Sequence, residues 1–276
     1  MAGLTALAPG VHAWLDDDPD EGHPNAGVVV DEDGITLVDT LCVAGQWEPF
    51  AAAVEALGPP IRRVVLTSSH IPYVGGTSRF WRAAMYGSAQ ASAHLDQPAD
   101  VDVIRHLFPA VAADLDDELT TRPVSHVVTE ATYVSGALMA VPVGGQMEEN
   151  LVGVVPGAGV VFAGALCSFG VTPIAFQGDP AAWADTLAEI GGLGSVIVPG
   201  HGPIGGGDEL LAQQAYLWAC VEAEGDPTAI PAGPWDRWPG REWDVVNVER
   251  AAMLAQGDTN VPPSLLRRLG MAAPGD

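Results

Sequence analysis

Residues 62–67, Arg-Arg-Val-Val-Leu-Thr, read as a short buried strand that runs straight into Ser68-Ser69-His70-Ile71-Pro72-Tyr73-Val74-Gly75-Gly76. A strand that ends in hydroxyls and an imidazole, then a Gly-Gly step, admits few layouts. The segments before it narrow them further. Residues 27–30 and 35–38 are β-branched runs flanking Asp31-Glu32-Asp33-Gly34, whose Asp-Gly is a hairpin signal. The second run ends at Asp39-Thr40. Residues 47–57 have helical spacing and stop at Gly58-Pro59-Pro60. A further helix is expected from near Gly76, carrying Phe80, Trp81 and Met85. Strand, helix, strand, helix is the order of a layered α/β protein.

The remainder continues the pattern. Residues 86–123, with the acidic Asp114-Leu115-Asp116-Asp117-Glu118, are looser and read as a lid-like insertion or a helix pair over the site. Strands are expected at 124–128, 138–143, 151–155 and 160–162, the last two joined by Pro156-Gly157-Ala158-Gly159. A helix over 180–190 leads to a strand at 195–198, which ends in Pro199-Gly200-His201-Gly202. Residues 208–224 are helical again, and a Trp- and Pro-rich tail precedes a final helix near 246–256. A chain of 276 residues can bury one large core. One domain spanning 1–276 is the expectation.

Charge excludes several partners. The chain carries 35 acidic residues against 11 basic ones, a net charge of −24, and every basic residue is arginine. Nucleic acid and anionic membranes are repelled by such a surface. Without lysine there is no Schiff-base nucleophile. Cys42, Cys167 and Cys220 are too few and too widely spaced for a disulfide framework or a zinc knuckle. No apolar run nears the ~20 residues of a membrane span. The N-terminus lacks a basic start and a long apolar stretch, so a cytoplasmic protein is expected.

The Thr67-x-x-His70 turn with Gly75-Gly76, and the segment Val198-Pro199-Gly200-His201-Gly202-Pro203, resemble the signature loops of the metallo-β-lactamase-fold hydrolases. The resemblance spans about residues 8–220 and implies an αββα sandwich, with 221–276 as a C-terminal extension. In that family the loop reads Thr-His-x-His-x-Asp-His-x-Gly-Gly, and three His hold one zinc while an Asp, two His and a bridging Asp complete a pair. Here Ser68 stands at the first His, Pro72 at the Asp and Tyr73 at the last His. Gln146, in Val143-Gly144-Gly145-Gln146-Met147, takes the third His position of the first metal, and Ala165 takes the bridging Asp. Only His70 and His201 keep the family's residue. Hydroxyl and neutral amide are poor zinc ligands beside imidazole and thiolate. The expectation is therefore no conventional zinc and no cofactor.

What remains can still do chemistry. If the resemblance holds, His70, Tyr73, His201, Gln146 and Ser68 face one pocket and are the catalytic candidates, since imidazole titrates near neutrality and tyrosine can act as an acid. Ser69, Glu148, Glu149 and Trp235 are candidates for substrate binding, and the two glutamates for oxygen ligands of a single unconventional metal. Asp39 is read as structural, accepting hydrogen bonds from the loop around Thr67-Ser68. Ser68-Ser69-His70 invites a Ser–His nucleophile, yet no Gly-x-Ser-x-Gly elbow is present. The Trp-rich tail resembles the extension of some bacterial family members and reads as aromatic packing, with a pocket wall or a dimer surface as alternatives. Three functions follow: a metal-independent enzyme acting by cyclisation, elimination, isomerisation or hydrolysis on a small, mostly apolar molecule; a non-catalytic binding protein; or a hydrolase with one unconventionally held metal.

Overall fold

The computed structural model describes residues 2–18 and 22–271. Within its strands, neighbouring apolar residues turn opposite ways. Val28, Leu37 and Val64 join one hydrophobic cluster, and the next residues, Val29, Val38 and Val65, join another. Period-two alternation requires this of any strand buried on both faces.

The first sheet pairs seven strands in chain order: β1 (Gly3–Ala8), β2 (Val11–Leu15), β3 (Ala26–Asp31), β4 (Gly34–Val38), β5 (Ile61–Val65), β6 (Ala84–Gly87) and β7 (His126–Val127). Pairing is antiparallel up to β4 and parallel beyond it. The second sheet comprises β8 (Thr132–Tyr133), β9 (Met139–Val143), β10 (Asn150–Val155), β11 (Val160–Ser168) and β12 (Val196–His201), ordered β12-β11-β10-β9-β8. Here β11 and β12 are parallel and the other pairs antiparallel.

Val29, Val38 and Val65 share their cluster with Leu151, Phe162 and Val198, so the two sheets face each other. On the outside, Val28, Leu37 and Val64 pack on Phe50 and Val54 of α1 (Ala44–Glu55). Val152, Val161 and Ile197 pack on Trp183 and Leu187 of α5 (Pro180–Gly191) and Leu217 of α6 (Gly207–Glu222). The result is an αββα sandwich. Phe50, Phe162 and Trp183 are all but fully buried, each side chain contributing about 1.5–3 kcal/mol.

The helix expected from Gly76 does not form. The chain instead makes a single turn, α2 (Ile71–Val74), then a 3-10 turn over Thr77–Phe80, and Met85 lies in β6. Gly75 and Gly76 explain the interruption: each runs hard against a backbone carbonyl, of Cys42 and Thr40 respectively, where a Cβ would collide. The looser stretch after β6 holds two short helices, α3 (Ala89–Leu95) and α4 (Val101–Leu107). Ser88 and Asp100 cap them by accepting from the Ala91 and Val103 N–H groups. The strand expected at 160–162 continues to Ser168, pairing along β12 as far as His201. In the tail, α7 (Asp244–Ala255) is followed by a further helix, α8 (Pro263–Arg268). Ile104 and Phe108 cluster with Ile174, Trp243, Val246 and Leu265, so the tail packs on the α4 region. Among the described residues, no helix is long and apolar enough to cross a membrane.

Candidate functional site

Five segments meet where β4, β5, β9, β11 and β12 end. Asp39 follows β4, residues 66–70 follow β5, residues 144–149 join β9 to β10, and Ser168 pairs with His201 at the ends of β11 and β12.

Asp39 organises the base. It is buried with φ of 64°, a region uncommon for a non-glycine residue. Its carboxylate accepts from the Thr67 N–H at 2.8 Å and the Thr67 hydroxyl at 2.7 Å, which ties the loop after β5 to the loop after β4. Burial pushes the Asp39 carboxyl up to about 7, against the two Thr67 bonds that favour its charged form. Gly164 (φ 48°) crosses over this pair so closely that any Cβ there would strike Thr67 Oγ1. Asn25 holds the loop after β12, donating from its amide to the Pro199 and Gly202 carbonyls.

Above the base runs a relay whose direction is set by a backbone group. The Met147 N–H can only donate, and Asn150 Oδ1 accepts it at 2.8 Å. Asn150 Nδ2 therefore donates, to the Thr67 carbonyl and to Gln146 Oε1, each at 3.1 Å. Gln146 Nε2 is then the donor to His70 Nδ1 at 3.0 Å. That leaves the His70 proton on Nε2, facing Gln177 Oε1 at 2.7 Å. The imidazole also stacks on Phe176, with ring centroids 5.3 Å apart. Its tautomer and its orientation are both held.

Gln177 is itself positioned by the tail. Arg250 of α7, buried, donates to the carbonyls of Gln177, Gly178, Thr259 and Asn260. Asn247 accepts from the Ala175 N–H at 2.8 Å and donates to the Pro173 carbonyl at 2.7 Å. The C-terminal extension thus staples the segment that carries Phe176 and Gln177.

His70 opens on a cavity of 220 Å³. Ile71, Leu95, Val103, Ile104, Phe108 and Phe176 make its walls, and Ser69, His70, His94 and Gln177 supply polar groups. Among the described residues its lining has no arginine and one acid, Asp100, which caps α4. A larger hollow of 340 Å³ lies at the other end of β5, between Pro59-Pro60 and Trp81-Arg82. It holds none of these groups, and its Arg79 is ion-paired with Glu48 and Glu55.

The expected shared pocket divides. His70, Tyr73 and Gln146 line a small space of 20 Å³ with Ala165, Ser168 and Trp183, room for about one water. Ser68 is buried, donates to Met147 Sδ at 3.2 Å and accepts from the His70 N–H. His201 is fully buried with its ring edge-on to Tyr73, centroids 5.8 Å apart. Ser69 reaches the 220 Å³ cavity. Glu148 and Glu149 are exposed, and Glu149 accepts from the Gln90 N–H. Trp235 sits in the core beside Tyr216 and Trp238, donating to the Pro231 carbonyl, and does not line this cavity. Two groups escaped sequence reasoning. His94 accepts from or donates to Ser69 Oγ at 2.8 Å from α3, and Gln177 meets His70 from 107 residues away. Neither lies in a motif, so no spacing announces them.

Among the described residues, no group of three or more His, Cys, Asp or Glu is placed to hold a metal ion. At the positions that would face a zinc pair, a hydroxyl is turned to a thioether, an amide is spent between an imidazole and an asparagine, and Pro72 and Ala165 offer no side-chain donor. Those residues do not fit such a pair.

The model of the metallo-beta-lactamase superfamily matches residues 19–228. Solved structures with the same fold include VMB-1 at pH 5.5 (TM-score 0.63, 17% identity, 80% of this chain and 98% of that one). FIM-1 from Pseudomonas aeruginosa, a metallo-beta-lactamase in its mono-zinc form, aligns with TM-score 0.60 and 22% identity over 83% of this chain and 97% of its own. A metallo beta lactamase from Erythrobacter litoralis, with beta mercaptoethanol in its active site, gives 0.60 and 20% over 79% and 96%. No curated protein matches the sequence.

Proposed function

The chain belongs to the metallo-beta-lactamase superfamily, and from that premise we propose that it works without the family's metal, using the cleft at its strand ends for acid–base chemistry on a small, uncharged, mostly apolar molecule. The observation that carries this reading is the relay ending at His70, which holds an Nε2–H at a cavity wall in one tautomer. A carbonyl or hydroxyl oxygen of the substrate takes the place of Gln177 Oε1 and accepts that hydrogen bond. Such a preset donor stabilises charge as it develops on the oxygen, without reorganisation during the reaction. His94, on the same cavity, is the second imidazole available to take or return a proton. Apolar walls and the absence of a lining arginine favour a neutral molecule, and the chain's net charge of −24 disfavours anions.

A non-catalytic binding protein is the second reading. It is favoured by one observation: Tyr73 and His201 are buried against each other, apart from the 220 Å³ cavity.

The deciding experiment is a panel of small neutral esters, lactones and enones, assayed with the full chain in excess chelator and again with His70→Ala. Turnover should persist in chelator and fall by about 10²–10⁴-fold in the variant. Turnover abolished by chelator and restored by zinc would overturn the reading. Binding without turnover, unaffected by chelator, would leave the second one.

A further inference from the structure

Ser69 and His94 form a pair that neither the family resemblance nor the His70 relay uses. Ser69 Oγ lies 2.8 Å from His94 Nδ1. Both residues line the 220 Å³ cavity, Ser69 from its floor at 9% exposure and His94 from an exposed position on α3. The serine belongs to the loop that Asp39 ties down, and its neighbour His70 brings an N–H to the same cavity. The second hydroxyl contact, to Met147 Sδ at 3.7 Å, is to a thioether, a weak acceptor.

The geometry points to Ser69 as a nucleophile activated by His94, giving the cleft an acyl-transfer activity on short, neutral esters. This rests on the reading of the cavity as a substrate site. In the first half, Ser69 Oγ bonds to the ester carbonyl carbon and passes its proton to His94 Nδ1. The carbonyl oxygen, now negatively charged, accepts the His70 Nε2–H. Collapse breaks the bond to the alkoxy group, which leaves as an alcohol with the proton from His94. In the second half, water adds to the acyl-Ser69 carbonyl and gives a proton to His94, and Ser69 recovers that proton as the acid departs. Atoms and charge balance, and only water is consumed with the ester. A serine and an imidazole within hydrogen-bond reach is the minimum such chemistry needs. A cavity of this size and lining fits a short acyl chain.

The test uses an alkyl fluorophosphonate, which phosphonylates activated serines, with p-nitrophenyl butyrate as reporter ester. The full chain should gain one adduct, mapped to Ser69, and Ser69→Ala should gain none. His94→Gln should be labelled about 100-fold more slowly, with an unchanged melting temperature because the residue is exposed. That variant keeps the test alive if Ser69→Ala does not fold. No adduct, an adduct elsewhere, or parental labelling of His94→Gln overturns the nucleophile. If labelling fails while His70-dependent turnover of neutral substrates persists, the dyad falls and the cleft reading stands. If p-nitrophenyl butyrate and the rest of the neutral panel neither react nor bind by calorimetry, both fall together.

Discussion

Asp39 joins two unfavourable conditions, a left-handed backbone and a buried carboxyl, and the Thr67 bonds stabilise both. Its acidity gives a measurable consequence. With the folded-state value raised to about 7 from an ordinary 3.8, the folded chain keeps a proton that the unfolded chain has released. The associated stability is fully present below about pH 3.8 and is lost as pH rises through about 7, at no more than ~1.4 kcal/mol per unit. Asp39→Asn cannot titrate. Urea unfolding of both proteins at about pH 5 and about pH 8 should therefore show the parent losing stability relative to the variant as pH rises. A difference that does not change with pH would mean that Asp39 is ionised throughout. At the same scale, Gln146 matters as the amide that selects the His70 tautomer, a role no zinc-binding imidazole at that position would fill.

Among the elements, α7 has more influence on the site than its distance along the chain suggests. Arg250 gives four backbone carbonyls their partner, and two of them belong to Gln177 and Gly178. Arg250→Met keeps the stem and removes the donors, leaving buried carbonyls unpaired at about 1–3 kcal/mol each where water cannot reach them. Denaturant unfolding should show a loss of at least about 2 kcal/mol. The KM for any ester turned over in the cavity should also rise, because Gln177 and Phe176 are no longer fixed. A destabilised variant with parental KM would show that the 173–178 segment holds its shape without α7. The interrupted helix after His70 belongs here too. Its local spacing predicts a helix, but the close approach of Gly75-Gly76 to the 40–42 loop decides otherwise.

For the molecule as a whole, a net charge of −24 on 276 residues means self-repulsion that salt should relieve. Raising sodium chloride from about 20 mM to about 500 mM should stabilise the chain by about 1 kcal/mol, a rise of roughly 2–4 °C in melting temperature. An unchanged melting temperature would show that ion pairs such as Arg63–Asp33 and Arg79–Glu55 already balance the field. The order of strands and helices was legible in the chain, because β-branched runs and helical spacing are local properties, while the αββα sandwich was implied only by the family resemblance. The loops carrying His70 and His201 were legible because the residues of each short motif are neighbours in sequence. Strand ends, the broken helix and the last helix were not, since each depends on pairing or collision with distant chain. The site divides along the same line. The family resemblance marked which positions would hold metal ligands, and the residue types there, a hydroxyl, an amide, a proline and an alanine, needed no coordinates to be judged as donors. Only the tertiary structure decided that Asn150 and Gln146 hold His70 in one tautomer, that Gln177 and His94 reach the cavity, and that Arg250 steadies it. Hydrogen bonds between groups up to 107 residues apart leave no periodicity or spacing in the chain, because they are made by packing rather than by neighbouring residues.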